Sequence, residues 1–160
     1  EETNDRYINI SIHTENEMIG LSSLFQQKKF AYSTIALKET QAYLIEASSL
    51  QVIIKENAAF AYEIIQQYCK ENAHIFKVLQ QQSFKQMYAR LASTLLYLNQ
   101  FSKYNIFSLL TRKEIAAFAG LSTESTIKLL KEFEQERILS LNEKNIELVN
   151  LDKLNKYSQM

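Results

Sequence analysis

Residues 110–130 read LTRKEIAAFAGLSTESTIKLL, and this stretch decides how the C-terminal half of the chain folds. Its start has the capping-box pattern, in which the Thr111 hydroxyl accepts from the Glu114 amide and the carboxylate reaches back. Gly120 can adopt the left-handed conformation that ends a helix, and Ser122 is a favourable N-cap for a second one. Because the link between the two helices is so short, they must meet at a sharp angle. The stretch therefore predicts a helix-turn-helix.

Downstream of this motif, the sequence predicts a small hairpin and a last helix. The segments Ser140–Leu141 and Ile146–Val149 are separated by four polar residues, a pattern typical of two short strands joined by a turn. Leu151–Tyr157 predicts a terminal helix. Residues 83–160 are therefore interpreted as a winged helix-turn-helix domain.

Upstream, residues 58–102 contain neither Gly nor Pro and predict helix, with a break at the polar run Gln80–Ser83. In the first helix, residues 58–82, a stripe of mostly apolar side chains recurs at alternate steps of three and four, the spacing of a coiled-coil seam. This seam consists of Ile65, Tyr68, Asn72, Ile75 and Leu79. A second copy of the chain is the simplest partner for the seam, and packing against its own domain is the alternative.

The front of the chain, residues 1–57, predicts strands followed by a short helix. Isoleucines alternate over Tyr7–Ile12, as in a half-buried strand. Phe30–Leu37 and Thr40–Ile45 are rich in aromatic and β-branched side chains and predict a hairpin, before a helix over about Ala47–Asn57. Three strands are too few for a closed sheet, so further strands either precede residue 1 or are absent from this piece.

Composition excludes several kinds of site. The 160 residues carry eighteen basic and eighteen acidic side chains, and 46% are apolar, as in an ordinary globular protein. The single Cys69 excludes an internal disulfide framework and a Cys-based metal site. His74 is out of helical register with Cys69, and no other catalytic constellation is visible. No run approaches a membrane span and no signal peptide is visible. We therefore expect a cytoplasmic protein that is not an enzyme and has no cofactor, metal or membrane contact.

The order of these elements resembles the Crp/Fnr family of bacterial transcription regulators. Leu110–Ala116 resembles the family's opening LTRxEIA, and Gly120–Leu130 resembles its recognition segment GLSRETVSRLL. Glu17–Phe25 is similar to the segment around the glycine of the family's sensor barrel. The resemblance covers the chain from Arg6 onward. It implies an α+β chain with a partial β-roll, a cyclic-nucleotide-binding-like sensor domain, in residues 1–57, a dimerisation helix in residues 58–82 and the winged helix-turn-helix.

Two departures from the family pattern bear on function. Cyclic-nucleotide binders of the family carry a Glu directly after the barrel glycine and an Arg further on, whereas here Leu21 follows Gly20 and Phe30-Ala31-Tyr32 stands at the Arg position. A cyclic phosphate without a bidentate Arg loses its strongest bonds, so cAMP dependence is not expected. In the recognition segment, Thr123 and Lys128 replace two Arg residues, so the preferred half-site is expected to differ.

The resemblance and the helix-turn-helix together predict which residues contact DNA. A Glu can accept from a cytosine amine, and Ser, Thr and a helix start can bind phosphate or base. The predicted contacts are Thr111, Arg112, Ser122, Thr123, Glu124, Ser125 and Lys128. Glu124 and Lys128 are four residues apart, so an ordinary surface ion pair between them is the alternative.

We thus predict a homodimeric transcription regulator that binds double-stranded DNA at an inverted repeat. The resemblance leaves room for RNA polymerase and an unidentified small-molecule effector as further partners. The alternative is a dimeric ligand-sensing or scaffold protein whose helix-turn-helix contacts protein, which the five basic and five acidic side chains of residues 109–137 favour. An enzyme acting on a ligand in the roll is disfavoured because the catalytic groups are absent.

Overall fold

The computed structural model describes residues 7–24, 30 and 32–160. Contacts divide the chain into two compact units, one of residues 11–77 and the other of residues 1–10 with 78–160. Seven α-helices and one two-stranded sheet lie in the described residues. None of the helices in these ranges is both long enough and apolar enough to cross a membrane.

The unit of residues 11–77 is mainly helical. A short 3-10 turn, Leu21–Ser23, is followed by helix α1, Ala47–Glu56, and by helix α2, Ala58–Phe84, most of which lies in this unit. Leu21, Leu24, Leu50 and Ile64 are its buried apolar side chains. Two glutamines tie the helices to the preceding chain: Gln51 donates to the Leu24 carbonyl at 2.7 Å, and Gln67 donates to the Met18 carbonyl at 2.8 Å. The helix predicted over residues 47–57 is confirmed.

The three strands predicted at the front of the chain are wrong for the described residues. Tyr7–Ile12, 32–37 and Thr40–Ile45 are not assigned to a strand, and Ala31 lies outside the described residues. A strand exists only where a neighbour supplies ladder hydrogen bonds, and alternation alone cannot provide that neighbour. The side chains that alternation would bury are open instead: Ile35 is 82% exposed and Leu44 is fully exposed.

The predicted helix break at Gln80–Ser83 is also wrong, because α2 continues to Phe84 and helix α3 begins at Met87 and ends at Asn99. Gln is a good helix former, and its polarity does not interrupt hydrogen bonding within a helix. The long helix therefore extends two residues beyond the predicted boundary at residue 82.

The second unit is built around α3. It continues with a 3-10 turn, Ser102–Tyr104, and with helices α4, Ile106–Leu109, α5, Arg112–Ala119, and α6, Thr123–Gln135. Strands β1, Leu139–Asn142, and β2, Asn145–Leu148, form an antiparallel hairpin before helix α7, Leu151–Ser158. Helix α3 packs chiefly on α7 and also on α5. The predicted helix-turn-helix, hairpin and terminal helix are therefore confirmed.

The core of this unit is mostly apolar. Its largest fully buried apolar side chains come from helices α3 to α7 and from the residue before β1: Leu91, Leu95, Leu98, Ile106, Ile115, Leu130, Phe133, Ile138 and Leu154. Burying an apolar side chain of this size stabilises a fold by about 1.5–3 kcal/mol. This core holds α5 and α6 at a fixed angle to each other.

An extended N-terminal segment lies against α5. The Asn9 backbone N–H donates to the Ala117 carbonyl at 3.3 Å, and its side-chain amide donates to the Glu114 carbonyl at 3.1 Å. The Lys113 ammonium lies 5.6 Å from the centre of the Tyr7 ring, within the range of a cation–π contact. Residues 7–9 therefore cover one side of the first helix of the motif.

Candidate nucleic-acid interface

Helix α5 begins at the capping box that the sequence predicts. The Glu114 backbone N–H donates to the Thr111 hydroxyl oxygen at 3.2 Å, and the Thr111 backbone N–H donates to the Glu114 carboxylate at 2.6 Å. The Thr111 hydroxyl also donates to that carboxylate at 2.8 Å. These bonds satisfy donors that a helix start otherwise leaves open. They also engage the Thr111 side chain locally, so only its exposed edge can face a partner.

The turn between α5 and α6 is a Schellman motif at Gly120. Gly120 has φ +61°, and the Leu121 N–H donates to the Ala116 carbonyl at 3.0 Å. A Cβ on Gly120 would lie 2.5 Å from a terminal nitrogen of Arg90, so the end of the Arg90 side chain would have to move. The turn therefore favours glycine for its left-handed backbone conformation, and glycine also lets Arg90 keep its present position.

Ser122 is the N-cap of helix α6, as predicted. The Ser125 N–H donates to the Ser122 hydroxyl at 3.1 Å, and the buried Thr126 hydroxyl donates to the Ser122 carbonyl at 3.0 Å. Leu129, Leu130 and Phe133 form the buried face of the helix. The opposite face is accessible and carries Glu124, Ile127 and Lys128, with Thr123 and Ser125 half-buried beside them.

Glu124 is turned back toward the start of its own helix. Its carboxylate accepts from its own backbone N–H and from the Ser122 hydroxyl, and these bonds lower the pKa of Glu124 below its ordinary value. The side chain is therefore a carboxylate at neutral pH. It is held at the positive end of the helix dipole, where a negative charge is stabilised.

Lys128 is paired, but not with Glu124. Its ammonium lies 4.0 Å from the Glu132 carboxylate, one turn further along α6, and its side chain is 78% exposed. An exposed i,i+4 pair of this kind contributes a few tenths of a kcal/mol and gives way easily to a stronger partner. The ion pair between Glu124 and Lys128 that the spacing allowed is not formed.

Arg112 is directed toward the hairpin. One terminal nitrogen donates to the Glu143 carbonyl at 3.4 Å, while the other is buried and makes no hydrogen bond. Partial burial lowers the pKa of Arg112 below its ordinary value. The residue lines a cavity of about 240 Å³ between α5, α6 and the hairpin, together with Ile127, Leu130, Lys131, Leu141 and Glu143.

The predicted dimer seam lies along one exposed stripe of α2. Ile65 is 58% exposed and Leu79 is 56% exposed. Tyr68 and Ile75 are also exposed, and the Asn72 amide donates to the Tyr68 carbonyl of the same helix at 3.1 Å. Phe76, next to the seam, is 71% exposed. In the single chain, these side chains are therefore accessible to a partner.

Comparison with known proteins finds a family match within the second unit. Residues 89–157 match the family model of the Crp-like helix-turn-helix domain. The resemblance to the Crp/Fnr family, and the α+β class with a C-terminal helix-turn-helix, are thereby confirmed.

Relatives extend the match beyond this domain. The transcriptional regulatory protein btr of Bordetella pertussis (strain Tohama I) is 21% identical over 145 residues, which are 87% of this chain and 60% of that protein. FixK2 from Bradyrhizobium japonicum has a TM-score of 0.65 and 20% identity over 71% of this chain and 59% of its own. A protein of the Crp/Fnr family from Eubacterium rectale has a TM-score of 0.58 and 21% identity over 73% and 54%. The chain thus spans less than two thirds of each relative, and the solved structures show a shared fold.

The matched residues 89–157 contain one contact that the sequence did not reveal. Arg90 on α3 donates to the Ala119 carbonyl at 3.0 Å and to the Gly120 carbonyl. No local pattern marks this contact, because its members are about thirty residues apart. Only the packing of α3 against α5 brings them together.

Proposed function

We propose that the chain belongs to a sequence-specific, DNA-binding transcription regulator of the Crp/Fnr type. The observation that carries this proposal is the Crp-like helix-turn-helix with an accessible first turn of α6. A helix in this position places its N-terminal residues against base edges in the major groove. Thr123, Glu124, Ser125 and Lys128 are the proposed base-reading residues, and Thr111, Arg112 and Ser122 are the proposed phosphate contacts.

The proposed assembly is a homodimer joined along α2. The seam residues are exposed in a single chain, and a twofold copy would cover them with the same surface. Two recognition helices would then enter successive major grooves. The operator is therefore proposed to be an inverted repeat with half-site centres about 34 Å apart.

The proposed regulator does not depend on cAMP. Leu21 is buried at the position where cyclic-nucleotide binders place the ribose-binding Glu. The Phe30 ring lies against Gly20, because a Cβ on that glycine would be 2.5 Å from a ring carbon. An apolar side chain and an aromatic ring offer no bidentate donor to a phosphate. Calorimetry with cAMP is expected to show no stoichiometric micromolar binding, and such binding would contradict this part of the proposal.

The decisive experiment is selection of duplexes from random DNA by the purified chain, followed by titration on the selected and scrambled duplexes at several salt concentrations. Glu124→Ala should reduce discrimination at one base pair per half-site by roughly 1–3 kcal/mol. Arg112→Ala should weaken both duplexes alike and flatten the salt dependence, since phosphate contacts release counterions. Equal weakening of both duplexes by Glu124→Ala would show that α6 docks without reading bases.

A protein partner is the second candidate, and the charge of the motif favours it. The helix-turn-helix carries equal numbers of basic and acidic side chains. Lys128 is the only basic side chain among the proposed base-reading residues, and it is paired with Glu132. DNA-binding surfaces are usually much more positive. If the dimer prefers no duplex, with or without candidate effectors, the hypothesis that the helix-turn-helix binds a protein replaces the hypothesis that it binds DNA.

A further inference from the structure

Arg90 binds the end of α5 with two donors. Its Nε donates to the Ala119 carbonyl at 3.0 Å, and a terminal nitrogen donates to the Gly120 carbonyl. The carbonyls at the C-terminal end of a helix have no N–H donor within the helix, so they need a hydrogen-bond donor from elsewhere. The guanidinium also brings positive charge to the negative end of the α5 dipole. The contact therefore holds the α5–α6 turn firmly against α3.

A second side chain lies close to this contact. A Cβ on Gly120 would be 2.5 Å from Arg90 and 3.1 Å from the side-chain carbonyl carbon of Gln82 in the last turn of α2. The planar guanidinium fits between the turn and α2 because the turn has no side chain. Lys, with a single ammonium, cannot span two carbonyls in the same fixed geometry.

The contact also lies next to the proposed reading surface. Gly120 is two residues before Ser122, the N-cap of α6, and Glu124 is two residues after it. A displacement of the turn therefore moves the first turn of α6 directly. Binding constellations must be held to about half an ångström to keep their specificity.

We propose that Arg90 is a positioning residue for base recognition: by fixing the α5–α6 turn to α3, it sets where the first turn of α6 lies in the major groove. The proposal rests on the proposed DNA-binding function. Arg90 itself touches no base, and it acts through Gly120 and Ser122.

The test compares Arg90→Lys with the wild type on selected and scrambled duplexes, well below the melting temperature of both proteins. We expect the preference for the selected duplex to fall about tenfold, which corresponds to about 1.4 kcal/mol. Affinity for scrambled DNA and its salt slope should stay unchanged, because both reflect charge alone. Arg137→Lys makes the same change at an exposed arginine just beyond the C-terminal end of α6, so it is the matched control and should change neither quantity. A parallel loss on both duplexes, or an unchanged preference, would overturn the proposal.

Hydrogen exchange provides a readout that needs no DNA. In Arg90→Lys, the amides of residues 121–126 should exchange at least several-fold faster than in the wild type, while those of β1 and β2 keep their rates. Unchanged exchange in residues 121–126 would refute the positioning role. If the wild type prefers no duplex but the exchange effect is present, the proposed DNA-binding function fails while Arg90 is still shown to hold the turn.

Discussion

At the scale of single residues, Arg137 occupies a position that suits glycine. It has φ +56° just after α6, where its N–H donates to the Glu134 carbonyl and the Ile138 N–H donates to the Phe133 carbonyl, both at 2.9 Å. This is a Schellman motif with a non-glycine residue in the left-handed position. The left-handed conformation costs a non-glycine residue about 1–2 kcal/mol. A glycine would avoid this cost, but part of the gain would be offset because glycine is more flexible in the unfolded chain.

Arg137→Gly should therefore stabilise the chain by roughly 0.5–1 kcal/mol. Urea denaturation measures this as a higher midpoint with an unchanged slope. The matched control is Gly120→Ala, which should shift the midpoint downward because of the φ +61° there and the contact with Arg90. A lower midpoint for Arg137→Gly would mean that its side chain makes a stabilising contact outweighing the backbone cost.

Glu124 makes the start of α6 sensitive to acid. Its folded-state pKa lies below the ordinary value of 4.5, because its own backbone N–H and the Ser122 hydroxyl bond the carboxylate. Ionised Glu124 therefore stabilises the folded state above the unfolded pKa, and this contribution is lost as the pH falls through the folded pKa. Glu124→Gln should be less stable than the wild type at pH 6, with the difference shrinking as the pH drops toward 3. Denaturation curves across this range test it, and a difference independent of pH would contradict it.

At the scale of elements, the aromatic rings between α3, α6 and α7 fasten the last helix. The Tyr157 ring lies 5.2 Å from the centre of Phe133 and stacks on Tyr88 at 6.0 Å. Its hydroxyl donates to the Glu136 carboxylate at 2.9 Å, and Lys153 forms an ion pair with the same carboxylate at 2.7 Å. Packing and polar contacts thus act on one side chain and can be separated by mutation.

We expect Tyr157→Ala to destabilise the chain by about 2–4 kcal/mol through lost packing. Tyr157→Phe should cost about 1 kcal/mol, since it keeps the ring and loses only the hydrogen bond to Glu136. Chemical denaturation of both variants measures the two contributions. Equal effects of the two substitutions would show that the ring itself contributes nothing.

The same scale explains which elements could be predicted from the sequence. The helix-turn-helix was predictable because the signals for it are local: a capping box at Thr111, a glycine at the turn and a cap at Ser122. The strands at the front were not, since pairing depends on a neighbour that alternation cannot supply. The end of α2 was misplaced because the glutamines there are polar yet favour helix.

The candidate site was predictable to a similar extent. The residues that face outward from α6 follow from helical periodicity once its N-cap is known. The ion-pair partners of these residues do not follow from periodicity. Glu124 and Glu132 are each four residues from Lys128, and the ion pair forms with Glu132. The Arg90 contact depends on how α3 packs against α5, which no stretch of the sequence encodes alone.

At the scale of the whole molecule, the prediction concerns assembly through α2. Replacing Ile75 and Leu79 with Lys should cost several kcal/mol of dimer stability, because unpaired charges would be buried at the seam. Gln66→Lys with Ala73→Lys is the matched control, since these exposed positions lie away from the seam on the same helix. Light scattering at micromolar concentration should show a dimer for the wild type and the control and a monomer for the seam variant. A monomeric wild type would refute this assembly.

The near-neutral helix-turn-helix, with Lys128 already engaged by Glu132, bears on how a regulator of this kind would find its target. A protein held to arbitrary DNA mainly by phosphate charge can track along the duplex for long distances before it leaves. A motif with equal numbers of basic and acidic side chains binds such DNA weakly and leaves it quickly. The search would then proceed by repeated encounters from solution instead of one-dimensional sliding. Occupancy of the operator would also tolerate swings in the ionic strength of the cell that displace more basic regulators.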